Sequence, residues 1–220
     1  MASAKVLGYA FGLVVLALSF HKGAPVAQDK AAEQTLTYQE EKDRVVLAWS
    51  GPIAEPMRDE FAAVVEQFKG DPRRFVLSLN SPGGSVQQGR EVVAAMREAA
   101  KTREIDTVVA AGGVCASMCV PIYLIGQNRA AHPSAHFMFH EASLDPTAVK
   151  TSELNANLRK TLEAGFTDML FETDFAAPRV NPRWLARMRG EIAGRDIWKN
   201  GRQLVDEGSG VIDALTAAAP

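Results

Sequence analysis

Ser117 stands in the stretch Gly112-Gly113-Val114-Cys115-Ala116-Ser117-Met118-Cys119, between an apolar run of strand character and one of helical character. Upstream lies Asn80-Ser81-Pro82-Gly83-Gly84-Ser85, and downstream lies Phe137-Met138-Phe139-His140. A hydroxyl attacks a carbonyl poorly near neutral pH unless an imidazole takes its proton, and the charge developing on the carbonyl oxygen needs donors already in place. The three stretches offer a nucleophile in Ser117, a base in His140 and backbone donors beside the diglycine. Gly84 lets the main chain approach a substrate without obstruction, and Met118 offers its amide at a helix start, where the dipole favours an anion. Acyl transfer by a serine hydrolase is the chemistry to which this set points.

His140 closes an apolar triplet and opens the polar turn Glu141-Ala142-Ser143, which puts it at a strand end facing a cleft. The other histidines fit less well: His21 falls in the amino-terminal apolar run, His132 precedes Pro133 in a turn, and His136 begins the strand. The imidazole also needs an orienting acid, and Asp145, Asp168, Asp174, Asp196, Asp206 and Asp213 all lie downstream. Spacing cannot choose among them, because the members of a triad are neighbours in space.

The elements that must carry these residues alternate. Arg44 to Trp49 reads as a buried strand ended by Gly51-Pro52, and Met57, Phe61, Val64, Val65 and Phe68 then recur at helical spacing. Phe75 to Leu79 repeats the strand, the Pro-Gly-Gly loop follows, and Val86 to Lys101 reads as a helix. A third unit runs from Thr107-Val108-Val109-Ala110 through the Gly112-Gly113 turn into a short apolar helix over Ser117 to Ile125. Short strands at Arg129 to Ala131 and His136 to Phe139 precede a long helix over Thr151 to Phe171, with shorter helices at Pro182 to Met188 and Gly201 to Glu207. Such alternation predicts an α/β fold with largely parallel strands.

A chain of 220 residues suits one domain. The net charge of -2, with no Lys/Arg run, excludes nucleic acid as a natural partner. Val6 to Phe20 is almost wholly apolar behind a short segment carrying Lys5, so residues 1–27 read as a signal peptide or an uncleaved amino-terminal anchor. Residues 28–42, rich in Gln, Glu, Ala and Thr, read as a tether, and residues 43–220 as the folded domain. The address is then the periplasm or exterior, or the inner membrane if the anchor is retained. The two cysteines, Cys115 and Cys119, flank Ser117, and their spacing leaves a disulfide and a pair of buried thiols both open. With no histidine beside them they make a poor metal site, and no metal or cofactor is expected.

Leu79-Asn80-Ser81-Pro82-Gly83-Gly84-Ser85, Ala116-Ser117-Met118 and Met138-Phe139-His140 resemble, in order and interval, three signature segments of the Clp protease proteolytic subunit and its Clp/crotonase relatives. Arg195-Asp196-Ile197-Trp198, with Gln203 to Gly208 and Val211-Ile212-Asp213, resembles that family's closing segment. The resemblance covers roughly Val45 to Asp213. It implies a Clp/crotonase-like spiral of strand-helix units with a long helix after the base, Ser117 as nucleophile, His140 as general base and Asp196 as orienting acid. Two departures qualify it: cysteines replace the small residues expected around Ser117, and the segment between His140 and Asp196 is longer, with Asp174 a rival acid inside it.

The implied function is an exported or membrane-anchored serine peptidase acting on peptide or protein and able to self-associate through the long helix. The export segment argues against an ATP-driven unfoldase as partner. A Ser-Lys arrangement, as in signal peptide peptidase A, would need Lys150 or Lys160 to be desolvated, and the polar neighbours of both predict solvated lysines. Acyl-CoA chemistry on the same fold does not suit a compartment outside the cytoplasm. The contrasting reading is a binding or assembly module that keeps the fold without catalysis, and a Cys115–Cys119 disulfide is the observation that favours it, through a clamped helix start and a displaced Ser117 hydroxyl.

Overall fold

The structure, a computed structural model, describes residues 35–144 and 154–217. The apolar amino-terminal segment, Asp145 and Lys150 lie outside the described residues. Among those described, no helix is long and apolar enough to cross a membrane.

The alternation of apolar runs and amphipathic segments produces nine strands and six helices among the described residues. A six-stranded sheet is ordered β1-β2-β3-β4-β6-β9, from Thr35–Glu40, Arg44–Ser50, Arg74–Asn80, Ile105–Val109, Arg129–Ala131 and Ala214–Leu215. A second sheet is ordered β5-β7-β8, from Val114–Ala116, His136–Phe139 and Ile197–Asn200. The strands β2, β3, β4, β6 and β9 run parallel, so each needs a crossover, and α1 (Met57–Gln67) and α2 (Val86–Ala99) supply the first two. Both helices bury the stripe that their periodicity predicts: Met57, Phe61 and Val64 on α1, and Val92, Val93 and Met96 on α2. Each such side chain stabilises the fold by about 1.5–3 kcal/mol through the apolar surface it removes from water.

Four sequence expectations change. Residues 35–40 are not tether but strand β1, paired antiparallel with β2 from Thr35↔Ser50 to Glu40↔Val45, so the domain does not begin at Asp43. The Thr-Leu-Thr-Tyr alternation places Leu36 in the core while Tyr38 packs edge-on against Phe68 at 5.4 Å; the surrounding Gln and Glu mask this in composition. After the Gly112-Gly113 turn the chain forms β5 before its helix, and that helix, α3, is only Cys119–Tyr123. The long helix is α4, Ala156–Thr173, shifted from Thr151 to Phe171, with its start capped by the Asn155 side chain accepting from the Leu158 amide at 2.9 Å. Strands β8 and β9 fall in short segments too brief to show a period. The closing helices are α5, Pro182–Glu191, and α6, Gly201–Asp206.

One buried ion pair ties the carboxy-terminal strand to the sheet. Arg129 has a fully buried side chain, and its guanidinium donates to Asp213 at 3.0 Å and to the Gly210 carbonyl at 2.9 Å. Arg179 approaches the same carboxylate at 3.2 Å. Burial pushes the Asp213 carboxyl up, but the hydrogen bonds from Arg129 and the attraction of both guanidiniums outweigh it and hold the group below its ordinary value.

Candidate active site

Main-chain bonds assemble the site before any side chain contributes. The segment around β5 is held on both sides: the Ser81 amide donates to the Val114 carbonyl at 2.7 Å and the Ala116 amide to the Ser81 carbonyl at 3.0 Å, while β7 pairs along the other edge. The register Ala116↔Met138 continues into a bond from the Ser117 amide to the Met138 carbonyl at 2.9 Å. Ser117 therefore leaves β5 level with the end of β7, and His140 follows two residues after Met138.

Ser117 has φ +54°, a left-handed conformation that a residue with a side chain adopts at about 1–3 kcal/mol of strain. A sharp strand-to-helix turn of this kind holds a nucleophile up from the backbone. The Ser117 Oγ lies 2.6 Å from His140 Nε2, so with the ring proton on Nδ1 the hydroxyl donates to Nε2. The expected nucleophile and base are thus in direct contact, half-buried at the mouth of a small crevice.

The diglycine reaches the same place. Gly83 has φ +92° and Gly84 φ +153°, and a Cβ on Gly83 would sit 2.6 Å from both the Ser117 Cβ and the Ala116 carbonyl oxygen. A Cβ on Gly84 would sit 2.3 Å from the Ile53 carbonyl oxygen. The loop is pinned there by the Ile53 amide donating to the Gly83 carbonyl at 2.7 Å and the Ser85 amide donating to the Ile53 carbonyl at 2.9 Å. Among the described residues, the amides of Gly84 and Met118 donate to no backbone carbonyl, and both residues line the crevice that holds Ser117 and His140. These are the two donors the sequence nominates. Because α3 has only five residues, the helix dipole adds little at Met118.

The acid is less tightly placed. Asp196 Oδ1 is 3.9 Å from His140 Nδ1, beyond hydrogen-bond length, and the Asp196 side chain is 64% exposed. It nevertheless faces the correct nitrogen, and its rivals have other partners. Asp174 is nearly buried against Arg90 at 2.6 Å, Asp168 pairs with Arg189 at 2.7 Å, Asp213 holds Arg129, and Asp206 faces Arg202 at 3.9 Å. Asp145 is outside the described residues. Lys160, the described member of the two lysines considered for a Ser-Lys arrangement, is exposed on α4.

The sulfurs of Cys115 and Cys119 are joined as a disulfide, with α-carbons 5.2 Å apart. The bridge does not displace the Ser117 hydroxyl, which keeps its contact with His140. Among the described residues, no group of three or more His, Cys, Asp or Glu side chains is arranged to hold a metal ion.

The crevice is small, about 80 Å³, and Val86, Ala142, Ser143, Leu170 and Phe175 complete its walls. A mainly apolar recess of about 520 Å³ opens beside it and shares Val86, Ala142, Ser143 and Leu170. Sequence reasoning misses these walls because they come from α2, α4 and the turns after β7 and α4. Ile53, the anchor of the diglycine loop, is signalled only by the Gly51-Pro52 that precedes it.

Strand-helix units wound into two sheets, with a serine on a strained turn and a histidine at a strand end, define an α/β fold with a serine-peptidase-like site. Residues 35–165, more than half of the chain, match the family model described as Clp protease, and the chain belongs to that family. Among solved structures it resembles a mutant of ClpP1 from Listeria monocytogenes with a TM-score of 0.57 at 14% identity, over 78% of this chain and 90% of that one. At that identity the likeness concerns the fold. No curated protein matches the chain.

Proposed function

We propose that the chain is a serine peptidase, exported or held at a membrane by its amino-terminal segment, in which Ser117 is the nucleophile, His140 the general base and Asp196 the orienting acid. The contact of 2.6 Å between Ser117 Oγ and His140 Nε2 carries this reading. His140 takes the hydroxyl proton as Oγ bonds to the substrate carbonyl carbon, and the amides of Gly84 and Met118 face the resulting oxyanion. Collapse of that intermediate breaks the scissile C–N bond, with the His140 proton passing to the departing amine. Water, deprotonated by the same ring, then releases the acyl group. The apolar recess beside the crevice suits an apolar substrate side chain next to the scissile bond.

Export is supported by the apolar run Val6 to Phe20 and by the bridged cysteines, which suit an oxidising compartment. In that compartment an ATP-driven unfoldase is not the partner. Self-association is the remaining element of the reading, supported by Leu158, Leu162 and Phe166, exposed on α4 at helical spacing. Native mass measured on the full chain tests it: a single-chain mass at micromolar concentration removes it.

The decisive test of the activity is a fluorophosphonate probe on the full chain, with the labelled peptide identified. Wild type becomes labelled on Ser117, whereas Ser117→Ala and His140→Ala each lose about 10⁶-fold of peptidase activity without loss of fold. A folded wild-type chain that stays unlabelled sinks the reading and leaves a binding or assembly module on the same fold.

A further inference from the structure

The disulfide brackets the site. Cys115 is the middle residue of β5 and Cys119 the first of α3, so the covalent link closes over Ala116, Ser117 and Met118 alone. Within that span sit the nucleophilic hydroxyl, the strained φ of Ser117 and the amide of Met118. Both cysteines are fully buried in the apolar core, so the link is no surface staple.

A cross-link stabilises a fold chiefly by restricting the unfolded chain, and that effect grows with the length of the loop it closes. With a sequence separation of 4, this link restricts the unfolded chain about as little as a disulfide can. Its consequence is local. A left-handed residue other than glycine persists only where its surroundings over-determine it. The main chain supplies part of that restraint through the Ser117 amide bond to Met138 and the Val120 amide bond to the Ser117 carbonyl at 3.0 Å. Neither bond fixes the distance between the two ends of the turn. The sulfur bridge does.

We propose that Cys115 and Cys119 are positioning residues, a covalent clamp that holds the Ser117 hydroxyl and the Met118 amide in mutual register for attack on a carbonyl. The clamp rests on the serine-peptidase reading and concerns the same site. It acts on the rate of attack and leaves substrate binding unchanged, because the recess is built from other elements.

The test uses the full chain and a fluorophosphonate probe, following the maximal labelling rate, the half-saturating probe concentration and the fraction labelled at the end point. In Cys115→Ala/Cys119→Ala the maximal rate falls about 10- to 100-fold, as misplacement of reacting groups by an ångström or so produces. The half-saturating concentration and the end-point fraction stay at wild-type values. A maximal rate within about twofold of wild type overturns the clamp, and so does a loss that appears only as a smaller labelled fraction, which marks unfolding. A second arm needs no substitution: wild type is produced and kept in a thiol-reducing buffer, its free thiols counted, and then treated with oxidised glutathione. Each bridge formed oxidises two cysteine thiols and reduces one glutathione disulfide to two thiols, which take up the two protons released. The labelling rate rises as the thiol count falls from two to none, and a rate independent of that count overturns the proposal even if the double variant does not fold. Absence of labelling in oxidised wild type instead removes the peptidase reading itself.

Discussion

Two polar clusters in this molecule handle a carboxylate in opposite ways. Asp213 is drawn between Arg129, whose side chain has no exposed surface, and Arg179, and it also accepts the Arg129 backbone amide at 2.9 Å. Asp196 stands mostly in water, 3.9 Å from the imidazole it faces. The first cluster holds a strand in the sheet, so its opposite charges must be paired or they would destabilise the core, and of the Arg129 guanidinium only Nη1 is left without a hydrogen-bond partner. The second, on the proposed reading, must let reagents enter and leave, and its order comes largely from backbone: β5 paired on both sides, a strained serine and a diglycine loop pinned to Ile53. Main chain therefore supplies most of the geometry at the site, and Asp196 stands apart from it at 3.9 Å from the ring.

The sharpest way to separate the clusters is to remove the buried cation. Arg129→Ala strands Asp213 without its main partner and costs about 3–5 kcal/mol, read as a lowered urea midpoint, while the fluorophosphonate labelling rate of the molecules still folded is unchanged. A pH series refines the same comparison. The folded state holds the Asp213 carboxyl below its ordinary value of 3.8, so its contribution is complete above that pH and is lost as pH falls through 3.8 toward the folded value. The stability gap between wild type and Asp213→Asn should then narrow below about pH 4. A gap that persists undiminished at lower pH would show that the pair acts through packing rather than charge.

Next in size is an attack on the backbone of the site. Gly84→Ala drives a methyl to within 2.3 Å of the Ile53 carbonyl oxygen, so the loop must shift and carry the Gly84 amide away from the position proposed for the oxyanion. Loss of one such donor lowers turnover about 10²- to 10³-fold, near 3 kcal/mol, in peptide hydrolysis at saturating substrate. Wild-type turnover in the Gly84→Ala variant would mean that the amide does not serve the oxyanion and that Met118 acts without it.

The meeting of Gly83-Gly84, Ser117 and His140 at one crevice was legible in the sequence because they sit in short, ordered segments whose residue types have few other uses together. The parallel order was legible because β2, β3 and β4 each carry a short, mainly apolar run and helical stripes separate them. What escaped were elements too short or too mixed to show a period. β1 hides its alternation among Gln and Glu, β5 and β9 span three and two residues, and α3 takes its limits from tertiary packing rather than from its own propensity. The sequence leaves the pairing of the cysteines open because an i,i+4 spacing on one regular helix directs the side chains imperfectly; in the structure Cys115 lies instead in the strand before α3, and the two are bridged.

The smallest effect belongs to the acid. An exposed pair at this separation contributes roughly 1 kcal/mol or less, so Asp196→Asn should lower turnover only about fivefold and leave the Ser117 labelling site unchanged. Salt discriminates further, because an exposed carboxylate is screened more strongly than one held in a direct, partly buried hydrogen bond: raising ionic strength should erase most of the difference between Asp196→Asn and wild type. A loss of about 10⁴-fold, insensitive to salt, would instead mean that substrate draws Asp196 onto the imidazole during turnover. Either result bears on the comparison between the clusters, since a carboxylate recruited only during turnover would join the second cluster to the first in strength while keeping the entrance open between cycles.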